Sequence, residues 1–217
     1  MGGNRFSTDQ EQFWAGEFGD AYAQRNTGPY LEASNRWLFA QALRTAGSVG
    51  SVLELGANVG MNIKAIRSLY PDAVCDAVEI NESAAMSLRV NIGEEHVHLD
   101  SILTFDARPK VWDLVLCKGV LIHIAPEELS AVYRTISRSS ARLVLLAEYY
   151  SPTPQEVTYR GHASRLFKRD FAGEFMEAYP EFVLRDYGFA YRRDPIAPQD
   201  DITWFLLERG ALANLGA

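Results

Sequence analysis

Apolar positions along the chain switch repeatedly between two spacings. Short runs rich in Val, Leu, Ile and Trp read as strands: Ser51–Leu55, Ala73–Ile80, His96–Leu99, Trp112–Cys117 and Arg142–Ala147. Between them, Asn58–Leu69, Glu82–Asn91 and Pro126–Arg138 carry helical periodicity, and Pro126 falls near a first turn, where its missing N–H is tolerated. Residues 31–46 predict an earlier helix with Leu31, Trp37, Leu38, Ala42 and Leu43 apolar, bounded by Gly47 and Gly50. Residues 164–178 predict a last helix despite Gly173, and Phe182–Asp186 and Thr203–Glu208 predict two closing strands around a polar loop. Alternation of this kind predicts an α/β fold with a mostly parallel sheet and helices on both faces. Ahead of it, residues 4–30 are polar and aromatic, with Phe13, Trp14, Phe18 and Tyr22 at helical spacing and a turn-like Asn26-Thr27-Gly28-Pro29. The expected division is a helical extension over 1–46, a core over 47–209 and a frayed tail over 210–217.

Composition narrows the classes. The chain has 217 residues, 47% hydrophobic and 23% charged, enough for one packed domain. A net formal charge of −7 argues against sequence-independent nucleic-acid binding, which needs a cationic footprint. The two cysteines, Cys75 and Cys117, lie in apolar runs and make neither a disulfide framework nor a zinc motif, so a reducing, cytoplasmic setting is expected. The four histidines are scattered, and no metal is expected. No segment approaches the roughly 20 apolar residues of a membrane span.

In parallel sheets, ligands bind outside the carboxyl ends of the strands, near the switch in strand order. That points to Gly56–Gly60, Glu79–Asn81, Asp100–Ile102, Lys118–His123 and Glu148–Tyr150. The first strand runs into Glu54-Leu55-Gly56-Ala57-Asn58-Val59-Gly60, a GxNxG turn. A dinucleotide site favours GxGxxG, so a nicotinamide oxidoreductase is disfavoured. The segment VLELGANVG instead resembles the first motif of class I S-adenosylmethionine-dependent methyltransferases. Glu79, Asp100-Ser101-Ile102 and Lys118–His123 follow at the matching strand ends.

That resemblance implies a Rossmann-like, seven-stranded sheet with an antiparallel closing strand. It also implies S-adenosylmethionine as cofactor and S-adenosylhomocysteine as product. Glu54 is then expected beneath the methionine ammonium, and Gly56 and Gly60 in the turn. Asn58 is a helix cap, a contact to the amino-acid end, or both. Glu79, with Ile80 beside it, is expected to hold the ribose hydroxyls, since a carboxylate offers two acceptors. Asp100, Ser101 and Ile102 are expected near the adenine; Asp100 read alone is a turn cap. Lys118 and Gly119 are expected to line the cofactor, against the plain reading of Lys118 as a solvated lysine. Trp14, Tyr22, Arg25 and Asn26 are candidate lid contacts, against the default of an aromatic helix face packed on the core. Arg25, Lys64 and Arg36 are equal candidates for the cofactor carboxylate.

The segments FWAGEFGDAYAQRN, KGVLIHI, AEYYSPTP, YRGH, LFKRDFAGEF and QDDITWFLLER together resemble the methylases associated with pseudaminic acid biosynthesis. This resemblance implies a small, anionic, sugar-like acceptor, with acceptor-side loops near 149–170 and 188–201. Candidate catalytic residues are His123, Glu148 and Tyr149. His123 is either a base titrating near neutrality or a packed histidine beside the cofactor. Glu148 is a base or an amine ligand, and Tyr149 and Tyr150 stack on a sugar or wall the pocket. Arg160 and His162 are expected to bind the acceptor's phosphate or carboxylate; Lys168 and Arg169 read more simply as a solvated helix face. Alternatives are methylation of RNA or protein, and a non-catalytic cofactor-binding module.

Overall fold

A seven-stranded sheet in the order β3-β2-β1-β4-β5-β9-β8 organises the computed structural model, which describes residues 6–210. The expected frayed tail lies outside the described residues beyond its first position. Strands β1 (Ser51–Leu55), β2 (Val74–Glu79), β3 (Val97–Leu99), β4 (Trp112–Lys118) and β5 (Ser140–Glu148) pair in parallel. Strand β9 (Ile202–Arg209) runs antiparallel to both β5 and the edge strand β8 (Phe182–Ala190). The sheet grows outward from β1 to β3, then restarts on the other side of β1 with β4. That reversal opens a crevice at the carboxyl ends of β1 and β4.

The central strands read as continuous apolar runs because both faces are buried. Val52, Leu114, Leu116, Leu143 and Leu145 face one layer with α3 (Pro29–Ala42), α4 (Met61–Leu69) and α5 (Glu82–Ile92). Leu53, Leu55, Val115, Val144 and Leu146 face the other, with α6 (Leu129–Ser139) and α7 (Phe171–Ala178). Glu54 alternates onto the first face, towards α4.

The structure corrects three expectations. Residues 164–178 do not form one helix: β6 (Gln155–Tyr159) and β7 (His162–Lys168) form a hairpin, and α7 starts only at Phe171. Arg160 (φ 48°) and Gly161 (φ 88°) are both left-handed, the requirement of a tight two-residue hairpin turn, and Tyr159 pairs with His162 across it. Asp170 then caps α7, accepting from Gly173 N at 2.9 Å. The aromatic N-terminal segment is likewise two helices, α1 (Asp9–Ala15) and α2 (Glu17–Arg25), broken at the extended Gly16. The helix predicted from Asn58 begins at Met61, because Asn58 and Gly60 both take positive φ.

Asp76 is a completely buried carboxylate inside β2. Trp112 Nε1 donates to it at 2.6 Å, Lys110 Nζ at 2.9 Å, and His96 Nδ1 lies at 3.1 Å. Burial pushes its pKa up, but these hydrogen bonds outweigh that and hold it below the ordinary carboxylate value. The carboxylate therefore stabilises the fold above the ordinary carboxylate range and loses that effect as pH falls through its folded-state pKa. Asp76→Ala leaves the Trp112 N–H buried and unpaired, and is expected to cost about 1–3 kcal/mol near neutral pH. Urea unfolding at about pH 7 and about pH 3 checks this: the deficit should shrink at the lower pH.

Candidate functional site

The carboxyl ends of β1 to β4 open into one cavity whose outer wall comes from α1 and α2. The turn after β1 is held by its own geometry. Gly56 N and Ala57 N donate to Val78 O at 2.9 and 3.2 Å, tying the turn to β2. Gly56 has φ 73°, and a Cβ there would stand 2.6 Å from Val120 Cγ2. A side chain at 56 would therefore push the turn into the loop after β4.

Glu79 ends β2 with its carboxylate fixed at both oxygens. Asn58 N donates to Oε2 at 2.7 Å and Asn81 N to Oε1 at 2.8 Å. Burial raises its pKa, and these backbone N–H groups act in the opposite direction. Each oxygen keeps a lone pair for the cavity that Glu79 lines. Asn81 extends the chain of contacts. Its Oδ1 caps α5 by accepting from Ala84 N at 2.9 Å, while Nδ2 donates to Asp20 Oδ1 at 2.8 Å and Trp14 O at 3.3 Å.

Glu54 lies just beneath the cavity, 1% exposed. Asn62 Nδ2 donates to its Oε1 at 2.6 Å, while Oε2 is buried with no partner among the described residues. Burial pushes its pKa up to about 8, against the pull of Asn62 and the Lys118 charge. Lys118 shows the reciprocal effect: burial lowers its pKa, and Glu54, Asp200 and Glu148 favour its charged form.

His123 lines the same cavity, on the 3-10 turn Leu121–His123. Its Nδ1 lies 2.6 Å from the Arg165 carbonyl oxygen, which can only accept, so Nδ1 carries the proton and Nε2 a lone pair. Burial lowers its pKa to about 4, so the ring is neutral at physiological pH. Trp14 and Tyr159 pack against it, with centroids 4.7 and 4.9 Å away.

Of the residues expected from the sequence, Trp14, Tyr22, Gly56, Asn58, Glu79, Ile80, Ser101, Ile102, Lys118, Gly119 and His123 line this cavity. Others stand elsewhere. Asp100 accepts from Ser101 N at 2.7 Å and Thr104 Oγ1 at 3.2 Å, a local turn cap. Arg25 lies over the Phe18 ring, and Gly60 shapes the turn from outside the lining. Glu148 is buried behind the wall: Val120 N and Leu121 N donate to its Oε1, each at 3.0 Å. Burial pushes Tyr149's pKa up, aided by Asp200. Tyr150 is 43% exposed and packs on Phe205. Arg160 sits on the exposed hairpin turn, and His162 packs on Phe13 at 5.1 Å.

Glu11, Asn35, Gln199 and Asp200, which no motif role singles out, also stand in the lining. Glu11 was legible: Thr8 and Glu11 form a capping box, with Thr8 N donating to Glu11 Oε2 at 2.8 Å. Asn35 and Gln199 meet only through tertiary structure, Gln199 Nε2 donating to Asn35 Oδ1 at 3.0 Å. No local pattern announces that pair.

The same arrangement of sheet and helices occurs in solved structures. Magnesium protoporphyrin IX methyltransferase from Synechocystis PCC 6803 with bound SAH superposes with a TM-score of 0.68 at 14% identity, covering 93% of this chain and 100% of that one. The fold is that of S-adenosylmethionine-dependent methyltransferases. The sugar N-methyltransferase KedS8 from Streptoalloteichus sp ATCC 53650 gives a TM-score of 0.63 at 15% identity over 97% and 98% of the two chains. A 1,6-didemethyltoxoflavin-N1-methyltransferase from Burkholderia thailandensis gives 0.63 at 18% over 83% and 80%. No family model and no curated protein matches the chain. Within this methyltransferase fold the cavity occupies the switch point between β1 and β4.

Burial pushes the Glu148 pKa up to about 7, against the hydrogen bonds from the Val120, Leu121 and Ile122 backbones. The folded state then holds a proton that the unfolded state releases, so this group's contribution falls as pH rises from the ordinary carboxylate range to about 7. Glu148→Gln keeps a carbonyl acceptor for the two N–H groups and removes the titration. The variant is expected to gain stability relative to the parent between about pH 5 and about pH 8, as read from denaturation midpoints.

Proposed function

We propose that this protein is a methyltransferase that moves a methyl group from S-adenosylmethionine to an oxygen or nitrogen of a small molecule. The observation that carries the reading is Glu79: a buried carboxylate at the end of β2, oriented by two backbone N–H groups beside a Gly56–Gly60 turn. The residues present fit this cofactor. Glu79 suits a vicinal diol, and the unpartnered Oε2 of Glu54 suits an ammonium group. Gly56 lets the turn pack against Val120, where a Cβ would clash, and so holds the loop after β4 close to the cavity. Ser101 and Ile102 fit the adenine end, and Lys118 the carboxylate end.

The cofactor supplies an electrophilic methyl group; the protein supplies alignment and surroundings. Trp14 and Tyr22 on α1 and α2 act as a lid, held to the core by Asn81, and exclude water. His123 accepts the acceptor's proton at Nε2, its tautomer fixed by the Arg165 carbonyl. Glu148 acts by holding the loop that carries His123, and Tyr149 lies behind that wall. The acceptor class we favour is a sugar-like, anionic metabolite. The sequence resemblance supports it.

Calorimetry with S-adenosylhomocysteine tests the donor site. Glu79→Ala is expected to weaken donor binding at least tenfold, far more than it weakens acceptor binding; unchanged donor affinity would remove the ribose role. Labelled methyl from S-adenosylmethionine, followed into a fractionated cell extract, tests the acceptor, and label in RNA or protein would overturn the small-molecule class. Once an acceptor is in hand, His123→Ala should lower turnover about 10²–10⁴-fold with donor affinity retained.

A further inference from the structure

A second, smaller cleft lies between α6 and the loop joining β3 to β4, enclosing about 140 Å³. Among the described residues, only Leu103 borders both this cleft and the cavity above. Ser139 adjoins Ser140, the first residue of β5, which pairs with Trp112 at the start of β4. This is the opposite end of the sheet from Lys118 and Glu148.

The cleft concentrates positive charge in a chain of net charge −7. Its walls carry Arg108, Lys110, Arg134 and Arg138 against one acid, Asp106. Asp106 is already taken: Arg108 Nε donates to both its oxygens, at 2.8 and 2.9 Å, and Arg108 NH2 adds a third bond. That contact lowers the Asp106 pKa to about 2, while Arg138 acts on it only through space. Lys110 is committed to Asp76 at 2.9 Å. Arg134 and Arg138 remain, one helical turn apart and exposed, with no hydrogen bond or ion pair among the described residues. Like charges at this spacing repel, so the pair works against the helix that carries it.

The floor adds a second and independent observation. Thr135 and Ser139, 7% and 6% exposed, line the same cleft from the adjoining, more buried strip of α6. Their hydroxyls make no side-chain hydrogen bond among the described residues, and both residues line the cleft. Two free guanidinium forks above two hydroxyls form a donor-rich, cationic pocket with room for one tetrahedral anion.

We propose that this cleft is a phosphate-binding site, taking either the free ion or the phosphate group of a small metabolite. The site is independent of the methyl-transfer reading. Calorimetric titration of the full chain with inorganic phosphate, and separately with glycerol 3-phosphate, in chloride buffer of constant ionic strength tests it. Saturable binding is expected for at least one probe, weakened at least tenfold in Arg134→Gln/Arg138→Gln and in Thr135→Val/Ser139→Ala. Tighter binding of inorganic phosphate would assign the free ion, and tighter binding of glycerol 3-phosphate a phosphorylated metabolite. Without phosphate, the arginine double variant should unfold at the same temperature as the parent or higher, because a repulsion has been removed. Binding by neither probe, or binding that survives the arginine substitutions, overturns the proposal. Should the hydroxyl variant fail to fold, the arginine variant alone decides.

Discussion

The Glu79 carboxylate joins the separate pieces of chain that make the cavity. One oxygen takes the Asn58 N–H of the turn after β1, and the other takes the N–H of Asn81, which caps α5 and binds the N-terminal helices. A carboxylate with two acceptor oxygens can do this at the end of a buried strand. Shortening it would loosen the turn, the start of α5 and the attachment of α1 and α2 together. The two backbone hydrogen bonds leave further lone pairs of the same carboxylate toward the cavity.

Around it, the protein gathers acid where water is scarce. Glu54, Glu79 and Glu148 are all buried near the carboxyl edge of the sheet, and desolvation is the largest influence on each. Lys118 stands among Glu54, Glu148 and Asp200 as a counter-charge. Two of the three carboxylates keep one oxygen unpartnered among the described residues. Unsatisfied buried oxygens are costly. Burial offsets that cost by favouring the neutral, protonated form of both groups.

Much of this was legible in the sequence because it is local. Period-2 and period-3.6 patterning identified the core strands and helices, and the antiparallel closing strand follows as β9. The Glu54–Gly60 turn and Glu79 were legible because a strand end fixes where a residue points. The hairpin is not legible because Leu166 and Phe167, both buried, satisfy a helical pattern as readily as a strand, and Arg160-Gly161 alone does not distinguish a tight turn from a loop. Arg160, His162, Tyr150 and Glu148 were expected at the acceptor from their chemistry and strand-end positions. Their side chains are turned to the hairpin surface, to aromatic packing or to backbone N–H groups. Asn35 with Gln199 was beyond reach, because nothing local couples α3 to the loop before β9.

The Arg165 carbonyl that fixes the His123 tautomer belongs to the β6–β7 hairpin, outside the seven-stranded sheet. The proton inventory of the cavity is thus written from an appendage. A register slip of one residue in that ribbon would turn the carbonyl away without altering any cavity-lining side chain. The protonation pattern of the cavity therefore depends on the length and turn of an element that contributes no strand to the sheet.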